Sequence, residues 1–121
     1  MTPREMAKLL AGELEDKKGR ELRVLEVTEL TVLADYFLIC TATSSIHAKT
    51  LGDACEMLMK DRGVLPHHVE ADKNRQWILL DFGCVVVHVF MEEQRKFYGL
   101  ERLWADAKPW RESGLGDAPQ A

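Results

Sequence analysis

WILLDFGCVVVHVF, residues 77–90, is the longest apolar run of the chain, interrupted only by Asp81, Gly83, Cys84 and His88. Its β-branched content (Ile78, Val85, Val86, Val87, Val89) favours strand over helix. Asp81-Phe82-Gly83-Cys84 supplies a turn in the middle, where Gly83 is free to take positive φ. The run is therefore predicted to form two antiparallel strands over 77–81 and 85–90. The second is almost wholly apolar, the pattern of a strand covered on both faces, so helices are expected over it. That places the hairpin at the centre of an α/β sheet.

Upstream of the hairpin, Pro66 to Glu70 reads as a short strand and Ala71 to Gln76 as a polar loop. Further back, Tyr36 to Thr43 (YFLICTAT) is a second apolar strand, followed by Thr43-Ser44-Ser45 as alternative N-caps for a helix. Ala48, Leu51, Cys55 and Leu58 give that helix its buried stripe and Gly63 ends it. Strand, helix and strand in this order predict a right-handed crossover. Leu22 to Val27 reads as a strand nearer the sheet edge. At the N-terminus, Thr2-Pro3-Arg4-Glu5 is a capping box. Met6, Leu9, Leu10 and Leu14 follow on one helical face, and Gly19 supplies the stop.

Downstream, Glu92-Glu93 open a third helix that carries Phe97, Leu100, Leu103 and Trp104, with Gly99 as a break. The expectation is one domain over residues 1–104, a mixed sheet of about five strands with helices packed on its faces, an α/β (α+β) architecture. Residues 105–121 hold Pro109, Gly114, Gly116 and Pro119 without periodicity and read as a flexible tail.

Composition narrows the function classes. With 121 residues the chain fits one domain that buries about two-thirds of its unfolded surface. No segment reaches the ~18 uninterrupted apolar residues of a membrane span. The opening MTPREMAKLL has no apolar signal core, and three scattered cysteines (Cys40, Cys55, Cys84) make neither a disulfide framework nor a zinc spacing. A reducing cytoplasm is the expected home. A net charge of −4 argues against naked nucleic acid as the main partner and suits a basic protein better.

Few residues suggest chemistry. His67-His68 with Glu70 and Asp72 resembles a metal cluster, yet adjacent histidines do not converge on one ion, and an exposed start of a strand explains them. His88, in the most apolar strand, reads as a hydrogen-bonded structural histidine rather than a general base. Cys40 and Cys55 read as small hydrophobes, while Cys84 lies in the turn with nothing nearby in sequence to activate it. Thr43-Ser44-Ser45 could hold a phosphate at the helix N-terminus, but capping explains it without a glycine-rich loop. Asp35, Asp72 and Asp81 offer a carboxylate set for a divalent metal, as a metal-dependent nucleotidyltransferase-like enzyme would need, but their separations fit no Asp-x-Asp pattern. Trp77 reads two ways: a rim aromatic flanked by Arg75 and Asp81, of the type that anchors interfaces, or a core residue at a strand end. Spacing does not separate the two. A small dimeric scaffold that binds another protein is a further reading of the same features.

The segments ADYFLICTATSSIHAK (34–49), the acid-containing loop before Trp77, WILLDFG with VVVHVF (77–90), and RKFYGLERLW (95–104) closely resemble the ribosomal silencing factor family, also called Iojap. The likeness runs from about residue 5 to residue 104. It implies a fold similar to nucleotidyltransferases without their glycine-serine and paired-aspartate motif, which this sequence also lacks. It implies no cofactor, and a partner in the large ribosomal subunit, reached through ribosomal protein fourteen on the face that meets the small subunit. Steric occupancy there blocks subunit joining and lowers translation when nutrients are short. Homodimers in isolation are also implied. Trp77 matches the family's tryptophan at the partner surface, with Asp81 beyond it in the same strand and Glu70, Asp72 and Arg75 in the adjoining acidic loop. Tyr98, Leu100 and Trp104 match the closing helix motif. Cys84 departs from the family, many of whose members have an acid after the turn glycine.

Overall fold

The computed structural model describes residues 1–28, 34–74, 76–92 and 108–109. Thr2 caps the first helix, α1 (Pro3–Asp16), and its side chain accepts from the Glu5 N–H at 3.1 Å. The Glu5 carboxylate in turn accepts from the Thr2 N–H at 2.8 Å. Both halves of the expected capping box are therefore present. The buried stripe is Met6, Ala7, Leu10, Ala11 and Leu14, with Leu9 half-buried beside it. At the other end Lys18, not Gly19, takes the left-handed conformation (φ 71°). Gly19 serves close approach instead: its N–H donates to the Leu14 carbonyl at 2.7 Å, and a Cβ there would sit 2.9 Å from that oxygen.

Six strands then build one sheet: β1 (Arg20–Glu26), β2 (Tyr36–Ala42), β3 (His68–Ala71), β4 (Trp77–Asp81), β5 (Val85–Met91) and the two-residue β6 (Lys108–Pro109). Their spatial order is β3-β4-β5-β2-β1-β6. All pairs are antiparallel except β2 with β5, which run parallel with Leu38 opposite Val87. The sheet is thus mixed, and the β4–β5 hairpin is at its centre as the sequence predicts. Only two polar or charged residues, Asp81 and His88, interrupt β4 and β5, and β2 is buried along its whole length. In the turn, Gly83 takes φ 91° while Asp81 Oδ1 accepts its N–H at 2.7 Å. β1 carries a bulge between Arg20 and Arg23, with Glu21 at φ 49°.

The second helix, α2 (Ser45–Lys60), begins at Ser44, whose hydroxyl accepts from the His47 N–H at 3.0 Å. Gly63 lies just beyond its end at φ 78°. β2, α2 and β3 form a crossover between strands that run in the same direction, and the hairpin β4–β5 fills the gap between them.

Both described helices lie on one side of the sheet. Strand alternation sends Val24, Leu38, Cys40, Ile78, Leu80, Val85, Val87 and Val89 into the main core beneath α1 and α2. The opposite side carries a second, smaller cluster built from Leu25, Val27, Ala34, Phe37, Ile39 and Phe90, with Trp77 and Val86 packed against it. The expected cover of helices on both faces is therefore met on one face by the described residues. The third helix lies outside them apart from Glu92, and so does the tail apart from the backbone of β6.

His47, which the sequence reading passes over, ties the two helices together. Its Nδ1 accepts from the Thr43 N–H at 2.9 Å, and its Nε2 donates to the Lys17 carbonyl, 2.9 Å away, at the end of α1. These partners orient the ring and satisfy a carbonyl that the helix end leaves open. His47→Ala removes both bonds and is expected to cost about 1–3 kcal/mol, read as a lower urea midpoint at unchanged slope. An unshifted midpoint would show that water replaces the ring without loss.

Candidate functional site

Cross-strand register places most of the sequence-predicted residues on the side of the sheet opposite α1 and α2. Directly opposed residues of a ladder share a face, and the pairs Trp77–Phe90, Leu79–His88, Asp81–Val86, Glu70–Leu79 and His68–Asp81 all point away from α1 and α2. Trp77 and Asp81 stand at the two ends of β4, both half-buried. Glu70 lies beside them on β3, exposed, with its carboxylate 2.7 Å from His68 Nε2. Glu70 is thus a strand residue and not part of the loop in which the family comparison sets it. The face grades from a buried floor on β2 and β5 to an exposed margin on β3, with Trp77, Leu79, Asp81 and Val86 at the transition.

Asp72 has a different task. Its Oδ1 accepts from the Gln76 and Trp77 N–H groups, closing the loop that delivers Trp77 to the start of β4. It holds the tryptophan in place through the backbone, a role that a loop acid between two strands can signal in sequence. Arg75 lies outside the described residues, as do Tyr98, Leu100 and Trp104.

The floor of the face contains one anomaly. His88 is 9% exposed, its ring set edge-on to Phe37 (centroids 5.2 Å) and stacked near Phe90 (6.1 Å). Its Nε2 is buried with no hydrogen-bond partner among the described residues, which corrects at that atom the expectation of a hydrogen-bonded histidine. Burial pushes the imidazole down from 6.5 to about 4, partly opposed by the charge of Asp81. The ring is therefore neutral at pH 7. The cysteines behave as hydrophobes. Cys40 and Cys55 are buried, burial drives the Cys55 thiol far above its ordinary value, and Cys84 is half-buried with Sγ 3.9 Å from Met6 Sδ.

No group of three metal-ligating side chains occurs among the described residues. The carboxylates of the alternative, enzymatic reading do not converge: Asp72 and Asp81 occupy opposite ends of β4. Asp81 Oδ1 accepts from Gly83, and Asp35 stands before β2 with its carboxylate on the Thr28 hydroxyl. A cavity of about 380 Å³ does open at the carboxyl ends of β2 and β5, the customary ligand position in α/β sheets. Its charged lining is Arg20, Glu21 and Glu92, and Asp35 and Asp81 lie at the other end of the sheet. No helix of the described residues is long and apolar enough to cross a membrane.

Fold and face together define a small α+β domain whose aromatic and acidic candidates share a surface at a sheet margin. The family described as "ribosomal silencing factor during starvation" matches residues 1–120, and the chain belongs to that family. It is 32% identical over 107 residues to a ribosomal silencing factor of Halalkalibacterium halodurans, covering 88% of this chain and 92% of the relative. It is 38% identical over 103 residues to the chloroplastic protein Iojap of Zea mays, covering 83% of this chain and 43% of that longer protein. A crystal structure of a Chromobacterium violaceum protein superposes with a TM-score of 0.84 at 32% identity and covers 98% of both chains. The bacterial relative is named for a regulatory, ribosome-related role and not as an enzyme.

Proposed function

We propose that this protein docks on the large ribosomal subunit through ribosomal protein fourteen and keeps the small subunit from joining, which represses translation when nutrients are limiting. The observation that carries the reading is the shared placement of Trp77, Asp81 and Glu70 on the face opposite α1 and α2, beside a half-buried Leu79. An aromatic anchor that shares its face with two acids, on a chain of net charge −4, suits a basic ribosomal protein: charge steers the encounter and the desolvated ring holds it. Asp72 contributes indirectly, by fixing the loop ahead of Trp77. Arg75 belongs to the same loop and is assigned to the contact by position alone.

On this reading the protein acts in the cytoplasm by occupancy, takes no cofactor, transforms no substrate, and contacts nucleic acid at most at the margin of the protein contact. In isolation the same chain forms homodimers. The test is a subunit-association assay by light scattering with purified halves. Addition of the protein in excess is expected to suppress the joined fraction, and undiminished joining refutes the reading. Affinity for the large subunit is expected to fall as salt is raised across the physiological range, because part of the attraction is between exposed charges. A salt-independent affinity would remove the charge contribution.

A further inference from the structure

Among the described strands β3 is outermost and bonded to β4 alone, and all four of its residues are exposed. On the helix side of that edge Val69 is 44% exposed, and Leu65, just ahead of the strand, is 64% exposed. Between β3 and α2 runs a groove of about 150 Å³. Its apolar floor is Gly52, Ala71, Ile78 and Leu80; Gly52 leaves the room, since a Cβ there would already sit 3.4 Å from Ile78. An open strand edge beside such a groove is the arrangement that receives an added strand: main-chain hydrogen bonds give affinity, and alternate side chains enter the groove.

The rim selects the occupant. Lys49 is matched by Asp53 at 2.6 Å, which leaves Glu56 as the surplus charge on the α2 wall. We propose that the β3 edge binds an extended segment of a partner polypeptide, with one branched aliphatic side chain in the groove and a Lys or Arg against Glu56. A second copy of this chain fits less well, because its own edge strand, His68-Val69-Glu70-Ala71, brings neither Lys nor Arg. Val69 and Ala71 point to the opposite side of the sheet from Trp77, so the site does not depend on the ribosomal reading.

The test selects peptides from a phage-displayed random library on the immobilised full chain, then synthesises the enriched sequence. The expected peptide alternates aliphatic residues with Lys or Arg and slows amide exchange in β3. It should lose about tenfold affinity on Val69→Lys, a change at an exposed position that leaves the core intact. Glu56→Lys should reverse the preference for basic residues, and Trp77→Ala should leave peptide affinity unchanged. No enriched sequence, or one whose affinity ignores Val69→Lys, overturns the proposal. So does a dimer, seen by sedimentation, that Val69→Lys dissociates, since the edge would then serve a second copy.

Discussion

Trp77→Ala is expected to abolish stable binding to large ribosomal subunits. A central tryptophan at an interface contributes about 2 kcal/mol or more, roughly a thirtyfold change in Kd. The ring also leans on the second cluster next to Phe90, so the substitution has a cost within the fold. For a half-buried side chain that cost is about 1–2 kcal/mol, well inside the stability of a domain of this size. Two measurements therefore separate the effects. Urea unfolding should show a cooperative transition at a modestly lower midpoint, while co-sedimentation with large subunits should fail at protein concentrations that saturate with Trp77 intact. Binding that survives the substitution takes Trp77 out of the contact, whatever the stability does.

Acidification is expected to weaken the fold through His88. The folded protein holds this imidazole neutral down to about pH 4, whereas the unfolded chain takes up its proton near 6.5. The unfolded state thus binds more protons between these values, so stability is full above pH 6.5 and falls as pH drops to 4. The gap amounts to about 3 kcal/mol. His88→Leu should flatten this part of the pH profile. It should also raise stability at pH 7 by about 1–2 kcal/mol, because the buried Nε2 has no partner among the described residues to lose. Parallel profiles for the two proteins between pH 6.5 and 4 would show that the acid sensitivity originates elsewhere.

Local patterns carried much of this fold. The apolar run 77–90, the turn glycine, the Thr2 capping box and the helical stripes of Met6, Leu10, Leu14 and of Ala48, Leu51, Cys55 are each decided by neighbours in sequence. What was not legible depends on chain segments that meet from far apart. Nothing in YFLICTA indicates that its lateral neighbour is VVVHVFM and that the two run parallel. The Lys17–His47 bond joins two helix ends through atoms that no periodicity marks. Gly19 looked like a stop signal, yet the reason for glycine there is the carbonyl of Leu14 pressing on it. For the candidate face, the family likeness supplied the residues and the register supplied their shared orientation. Sequence spacing alone left Trp77 undecided because period two says which residues share a side, not which side a helix covers.

The pairing of β2 with β5 also governs how the molecule comes into being. Tyr36 to Ala42 is complete early in synthesis, but its parallel neighbour emerges only after α2, β3 and β4 have been made. Until Val85 to Met91 leaves the exit tunnel, the nascent chain has two half-sheets with no seam between them. The face that carries Trp77, Asp81 and Glu70, the proposed docking surface, is therefore completed only after β5 has been made.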